Sequence, residues 1–307
     1  MIHIGVAGWD YPDWAGLVYP SPAPRSFDRL AWLSEFLDAV EINVTFYRRI
    51  DPKTASSWVS RVRSTSSFAF TAKLNRVFTH DRDGDLPEEA ARYAASIDPL
   101  LRSGLLKAVL AQFPHAFHDT PGNRSHLARI VEFLPGLPLV AEFRHRSWND
   151  GGALDFLREL RVGFCNIDQP SLGSTLPPTE HVTSPIGYVR LHGRNADNWF
   201  ARKGGGDVEL GRGSGSARYD YLYSLKELQP WTGRIERIAA RAEETVVIAN
   251  NHYRGKAPAN ALMLKRAITG HRAQSPAALI EAYPELAKAA DPLPAPARRG
   301  SRQGRLF

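Results

Sequence analysis

The 307-residue sequence predicts a single (β/α)₈ barrel of the TIM type. Eight short apolar runs alternate with helical patterns along nearly the whole chain, as in repeated βα units. The length fits one barrel, although it would also fit two smaller domains. A doubly wound open sheet is the alternative. Gly5, Gly8 and Gly16 do not form the glycine-rich phosphate turn typical of that fold.

The eight strands are predicted from runs of β-branched and other apolar residues. In chain order they are Ile2–Ala7, Ala39–Val44, Phe68–Ala72, Ala108–Phe113, Leu139–Phe143, Val162–Ile167, Ile186–Leu191 and Thr245–Ala249.

Helix start signals stand between these runs. Asp51 and Pro52 form a cap followed by a first-turn proline, and apolar residues then recur at helical spacing. Asn123 and Asp150 precede similar patterns. The segment Tyr221–Arg241 predicts a helix after the seventh strand, interrupted near Pro230.

The composition is that of a globular protein, with 43% hydrophobic and 23% charged residues. No apolar run reaches the roughly 18–20 residues that span a bilayer, and the chain opens on a strand instead of a signal sequence. The single cysteine, Cys165, excludes an internal disulfide framework. We therefore expect a cytoplasmic protein without a membrane partner.

The formal charge of +7 favours anionic partners, either small molecules or nucleic acid. Part of this excess is local, because four arginines fall within the last ten residues. We expect the barrel to cover residues 1–290, and 291–307 to form a flexible tail rich in Pro, Ala and Arg. The glycine-rich segment Asn195–Ala217 is expected to form a loop over the barrel mouth.

Several predicted strands end in two polar residues that lie two positions apart. Side chains alternate between the faces of a strand, so two residues of the same parity, both odd or both even in number, lie on one face. The pairs are Glu41 with Asn43, Glu142 with Arg144, Asn166 with Asp168, and Arg190 with His192; Lys73, Gln112, Asn250 and Asn251 end the other strands. Such groups are costly in the apolar layers but converge at the carboxyl ends of barrel strands. This pattern predicts a functional site at the mouth. The alternative is a set of ion pairs that closes the barrel.

Carboxylates and an imidazole suit general acid–base chemistry. We expect catalytic roles for Glu41, Glu142, His192 and Asp168. The cations Lys73, Arg144, Arg190 and Arg194 suit phosphate or carboxylate oxygens, while the aromatic rings of Trp9 and Tyr47 suit stacking. With Asn43, Gln112, Asn250 and Asn251, these residues form the expected substrate-binding set.

Three other interpretations stay open. His192 could be a neutral histidine satisfied by a backbone group, and Trp14 and Trp148 could cap the core. Glu142, Asp168 and His192 could hold a divalent metal, although the neighbouring cations oppose one. No metal site is assigned and no organic cofactor is indicated. Cys165 lies in mid-strand, as a buried structural thiol does.

Several segments together resemble the YecE-like family, catalogued as domain of unknown function 72 (DUF72). They are Gly5–Trp14, Val40–Tyr47, Phe70–Lys73 with Thr79–His80, Gln112–Pro114, Glu142–His145 with Ser147–Trp148, Tyr188–Arg194, and Asn250–His252 with Asn260–Ala261. The resemblance covers about Met1–Ala267 and implies a TIM-like barrel. It implies no particular reaction.

A second resemblance concerns Gln303–Phe307, which is similar to the short peptides by which bacterial DNA polymerases and repair proteins bind the sliding clamp. Leu306 and Phe307 would anchor in a hydrophobic groove while the amide of Gln303 bonds nearby backbone.

These observations predict an enzyme that acts on a phosphate-bearing substrate, DNA or a nucleotide, and is tethered to the clamp. Two alternatives stay open. One is a metabolic sugar-phosphate isomerase or hydrolase with an incidental tail, and the other is a non-catalytic clamp-associated binding protein.

Overall fold

Eight parallel strands close into a barrel in the order of the sequence. We describe residues 1–62, 67–82, 85–196 and 217–293 of a computed structural model. The strands are β1 (Ile2–Ala7), β2 (Ala39–Ile42), β3 (Ala69–Lys73), β4 (Leu106–Gln112), β5 (Leu139–Glu142), β6 (Gly163–Asp168), β7 (Ile186–Leu191) and β8 (Glu244–Ala249). The pairing of β1 with β8, from Ile2 opposite Thr245 to Val6 opposite Ala249, closes the ring. The predicted fold is confirmed.

Helices follow the strands on the outside of the barrel. They are α1 (Arg29–Ser34), α2 (Val44–Tyr47), α3 (Pro52–Val62), α4 (Leu86–Arg102), α5 (Pro121–Phe133), α6 (Gly151–Glu159), α7 (Leu225–Ala239), α8 (Lys256–Thr269) and α9 (Ala277–Ala282). Short 3₁₀ helices span Pro12–Trp14, Arg146–Trp148, Ala217–Tyr219, Tyr253–Gly255 and Pro284–Lys288, and a π-helix spans Val77–Asp81. None of the described helices is long and apolar enough to cross a membrane.

Several strand boundaries differ from the prediction by one or two residues, and two differences place residues in another element. Val44, predicted to end the second strand, begins α2 instead. Asp291 and Pro292, predicted to begin the tail, belong to β10 (Ala290–Pro292), which pairs with β9 (Ala273–Ser275) in a small parallel sheet. The rest of the predicted tail, from residue 294, and residues 197–216 of the predicted mouth loop lie outside the described residues.

Side-chain caps explain where the helices begin. Asp150 accepts a hydrogen bond from Gly152 N and caps α6, as predicted. The cap of α5 is Thr120, three residues before the predicted Asn123. In α7, Ser224 and Glu227 form a reciprocal capping box, so the helix begins later than Tyr221.

The predicted interruption of α7 near Pro230 is wrong, because the helix is continuous through it. Proline removes one backbone hydrogen bond. Leu228, Trp231 and Ile235 are buried against the barrel, and this packing holds the helix across the missing bond.

Two features of the core show how closely its elements pack. The strands β1 and β2 approach closely at Gly5, where a Cβ atom would lie less than 3.0 Å from three backbone atoms of Ala39. Trp14 and Trp148 are fully buried, and their indole N–H groups donate to the backbone oxygens of His252 and Phe117, both at 2.7 Å. Both tryptophans therefore belong to the core.

Candidate active site

A buried ion chain crosses the barrel near the carboxyl ends of the strands. The Arg190 guanidinium on β7 donates from Nη1 to Glu142 Oε2 on β5 and from Nη2 to Glu41 Oε1 on β2, each at 2.6 Å. All three side chains are fully buried. One arginine thus links two carboxylates that come from different sides of the barrel.

At the Glu41 end of this ion chain, both carboxylate oxygens accept hydrogen bonds. Its second oxygen, Oε2, accepts a hydrogen bond from Tyr188 Oη at 2.9 Å, and Tyr188 Oη lies 2.8 Å from Thr71 Oγ1. Burial, followed by the nearby charge of Glu41, raises the pKa of Tyr188 well above its usual value. Tyr188 therefore stays protonated and acts as a donor to Glu41.

At the other end of the ion chain, Glu142 Oε1 contacts two further side chains of the mouth. Arg144 Nη2 lies 2.6 Å from it and His192 Nε2 lies 3.3 Å from it. Within the described part of the chain, however, no donor makes a well-aligned hydrogen bond to this buried oxygen. Burial opposes ionisation of Glu142, but the charges of Arg144 and Arg190 outweigh it and hold its pKa well below the usual range.

The surroundings of His192 favour its neutral imidazole form. Asn250 Nδ2 lies 3.0 Å from His192 Nδ1, so that ring nitrogen accepts and the proton resides on Nε2, facing Glu142. Burial, and next the charge of Arg144, lower the pKa of His192 to about 3. Both effects favour the neutral imidazole expected as an alternative, although the partner of Nδ1 is a side-chain amide and not a backbone group.

The His192 pKa makes stability depend on pH. The unfolded chain takes up a proton near pH 6.5 and the folded chain does not, so stability falls as the pH falls below 6.5. We expect wild type to lose up to about 1.4 kcal/mol per pH unit more than His192→Gln between pH 6 and 5. Urea unfolding of both proteins at several pH values measures this. Parallel pH profiles would contradict it, because every other histidine is common to both.

Asp168 faces away from the mouth. Cys165 Sγ lies 3.9 Å from Glu142 Oε2, so odd-numbered β6 residues point inward and Asp168 points outward to α7. Its carboxylate accepts two hydrogen bonds from Arg194 and one each from Tyr223 Oη and Trp231 Nε1. With these positions filled, Asp168 fastens the loop after β7 to α7. The expectation that it joins the mouth carboxylates is wrong.

Two other residues expected at the mouth, Asn166 and Asn251, also point away from the barrel interior. Asn166 bonds the loop after β6, through the hydroxyl of Thr179 and the backbone of His181. Asn251 Nδ2 donates to the backbone oxygen of Tyr221 and to Asn260 Oδ1. These amides therefore hold loops in place.

The remaining predicted residues lie around the mouth. Lys73 is fully buried on the same face of β3 as Thr71, with its Nζ 4.8 Å from the ring of Phe46. Gln112 pairs in register with Glu142, and the buried Asn43 Oδ1 has no hydrogen-bond partner among the described residues. The rings of Trp9 and Tyr47 pack at right angles against Trp58 and Phe46, respectively.

Sequence reasoning did not select Tyr188 or Thr71. The signal for Tyr188 was present, because it shares the parity of Arg190 and His192 on one strand. Sequence reasoning also missed a cluster of histidines on the loops after β4 and β5. His118 stacks on His145 with ring centroids 3.9 Å apart, and His115 lies edge-on to His145 at 5.2 Å.

The described residues contain no group of three or more His, Cys, Asp or Glu side chains that could hold a metal ion. The suggested set of Glu142, Asp168 and His192 is divided, because Asp168 lies on the outward face of β6. These three residues therefore cannot share one ion.

Comparison with known proteins gives a consistent picture. Residues 3–283 match the family model described as protein of unknown function DUF72. The UPF0759 protein YunF of Bacillus subtilis is 28% identical over 275 residues, which are 85% of this chain and 92% of that protein. The crystal structure of a DUF72 family protein from Thermotoga maritima is 31% identical, covers 87% of this chain and 99% of its own, and has a TM-score of 0.72. One from Enterococcus faecalis is 26% identical, with coverage of 87% and 95% and a TM-score of 0.73.

Proposed function

Since this chain belongs to the DUF72 family, whose description names no reaction, we propose a function from the chemistry of the mouth: proton transfer on a bound substrate that carries a phosphate or another oxyanion group. The observation that carries this proposal is the position of Glu142 Oε1. It is a buried, ionised oxygen beside two nitrogen donors, with no aligned hydrogen bond in the described part of the chain.

A purely structural role explains this network less well. Exchanging buried ion pairs for apolar residues of similar size is often neutral or stabilising, so stability alone does not favour charges here. The ion chain also lies at the carboxyl ends of the strands, where barrel enzymes place their catalytic groups.

Glu142 and the two nitrogen donors beside its Oε1 have different roles in the proposed reaction. Glu142, ionised at neutral pH, accepts the substrate proton. Arg144 and the neutral Nε2–H of His192 donate hydrogen bonds to the oxygen on which negative charge develops. Glu41 accepts hydrogen bonds from Arg190 and Tyr188 and so holds Arg190 in position.

Arg144 connects binding to catalysis in this scheme. The low pKa of Glu142 makes it a weak base while Arg144 lies beside it. A substrate oxyanion competes for the Arg144 guanidinium, and the weakening of that ion pair raises the pKa of Glu142 toward the range of an effective base.

Glu142→Gln tests the proposal. We expect wild type to exchange carbon-bound hydrogen of pentose or hexose phosphates for deuterium in D₂O, and the variant to do so at least about 100-fold more slowly. Proton NMR follows the loss of the C–H signal. Lys53→Met on exposed α3 serves as the control, with unchanged exchange. Equal rates in wild type and Glu142→Gln, or no exchange by wild type with any of these compounds, would contradict the proposal.

A second candidate function, attachment to the DNA sliding clamp, rests on the Gln303–Phe307 peptide alone. These residues lie outside the described part of the chain. We expect micromolar binding of the full chain to the clamp of its own organism, lost when Leu306 and Phe307 become alanine because both apolar anchors are removed. Surface plasmon resonance measures this, with Arg305→Ala as a control that keeps binding. Absence of binding by the intact chain would remove this candidate.

A further inference from the structure

We propose that the substrate is a small molecule that carries one oxyanion group and several hydroxyl groups, and not a strand of nucleic acid. This inference rests on the proposed function, since it names the class of compound on which the mouth acts. The inner mouth is the set of buried charged side chains at the carboxyl ends of the strands, together with the polar atoms beside them. Three of its properties support the inference: its charge balance, its available hydrogen-bonding atoms, and the depth of its cations.

The inner mouth carries a small excess of positive charge. Among the described residues its cations are Lys73, Arg144 and Arg190, and its carboxylates are Glu41 and Glu142. Arg190 binds both carboxylates, and Arg144 contacts Glu142. Arg194 does not add to the excess, because it pairs with Asp168 on the outward face. These five described side chains therefore sum to one net positive charge, which has the sign needed to attract a carboxylate or a phosphate group.

The mouth contains buried acceptor atoms that a ligand could satisfy only with hydrogen-bond donors. Asn43 Oδ1 and Glu142 Oε1 are buried acceptors without an aligned donor among the described residues. An ionised carboxylate or phosphate group brings acceptors only, so it cannot satisfy them. Hydroxyl groups can, because each O–H donates one hydrogen bond and accepts others. Arg190 Nε, a buried donor without a described acceptor, can bind such a hydroxyl oxygen.

The cations lie too deep for a nucleic-acid backbone. Lys73 and Arg190 have no exposed surface and Arg144 is 8% exposed, whereas phosphate contacts to nucleic acid come from cations on the protein surface. A duplex or an extended strand meets a protein through surface cations of a kind that these three buried side chains do not provide. A compound of sugar size can enter a buried mouth.

Matched compounds test the inference by calorimetric titration of the full chain. The panel combines aldonates of four to six carbons and sugar phosphates with their neutral counterparts, the alditols and the free sugars. It also contains their hydroxyl-free counterparts, the unsubstituted carboxylates and alkyl phosphates, and a 12-nucleotide single strand. We expect at least one aldonate or sugar phosphate to bind about tenfold or more tightly than both its neutral and its hydroxyl-free counterparts. Preference within that pair of classes identifies the oxyanion group.

Two variants separate the contributions. Asn43→Ala should weaken the polyhydroxy ligand about tenfold and leave its hydroxyl-free counterpart unchanged. Arg144→Met should reduce the affinity of the anionic ligand to that of the alditol. The inference is overturned if the oligonucleotide binds most tightly, if hydroxyl-free compounds bind equally well, or if no small compound binds.

Failure of the proposed function gives a different result. Tight binding of an aldonate or sugar phosphate without deuterium exchange would leave the substrate class standing and reject proton transfer. Deuterium exchange confined to the oligonucleotide or to hydroxyl-free compounds would support proton transfer and reject the substrate class.

Discussion

Arg190→Met is expected to lower the free energy of unfolding by about 3–5 kcal/mol. The variant removes the guanidinium of Arg190, which binds both Glu41 and Glu142. Both carboxylates are fully buried, so water cannot replace the lost partner. Breaking such a network is costly because it leaves uncompensated charge in the interior, which is a larger effect than the loss of a surface ion pair. Urea unfolding monitored by circular dichroism measures the change.

Arg144→Met is the matched control for Arg190→Met. It removes a cation from the same carboxylate, Glu142, but leaves Arg190 in place. Its cost should therefore be clearly smaller, by at least about 1–2 kcal/mol. If Arg190→Met unfolds within about 1 kcal/mol of wild type, or no less readily than the control, the ion chain does not hold the barrel as the geometry implies.

Gly5→Ala is expected to destabilise the barrel by more than about 3 kcal/mol, at or beyond the upper end of ordinary overpacking. The new methyl group would lie less than 3.0 Å from three backbone atoms of Ala39. These atoms belong to β2, which pairs with β1 at this position, so no flexible side chain can move aside. The strands would have to separate. The soluble fraction on expression and the urea midpoint measure the outcome.

Gly122→Ala provides the control for this substitution. Gly122 lies in α5, and a Cβ atom there would meet nothing within 4 Å. Alanine should be neutral or should stabilise by about 0.4–1 kcal/mol, because it restricts the unfolded chain and favours the helix. A Gly5→Ala variant as stable as Gly122→Ala would show that β1 and β2 are not held as closely as described.

The barrel could be predicted from the sequence because its strands are buried on both faces. Such strands appear as continuous apolar runs whatever their surroundings, and all eight were located to within a few residues. Short elements were harder. The strands β9 and β10 have three residues each, too few for a pattern. The helix α7 runs through Pro230 because of tertiary packing, which sequence patterns do not contain.

The mouth was predicted less completely, and β6 shows the reason. Parity correctly grouped Arg190 with His192, and Asn166 with Asp168. It could not decide which face of a strand turns inward. On β6 both faces carry plausible residues, with Cys165 on one and Asp168 on the other. The inward choice is set by strand register in the closed barrel, which depends on neighbouring strands rather than on β6 itself.

The Glu41–Arg190–Glu142 chain also limits how this sequence can change through descent. Loss of any one charge leaves its former partners buried without full compensation, so a lineage that replaces them singly passes through a less stable intermediate. The three positions should therefore be inherited, or replaced, as a set. In related barrels, a neutral residue at the position of Arg190 should coincide with neutral residues at both glutamate positions. Covariation among these three alignment columns would then record the ion chain without any structure.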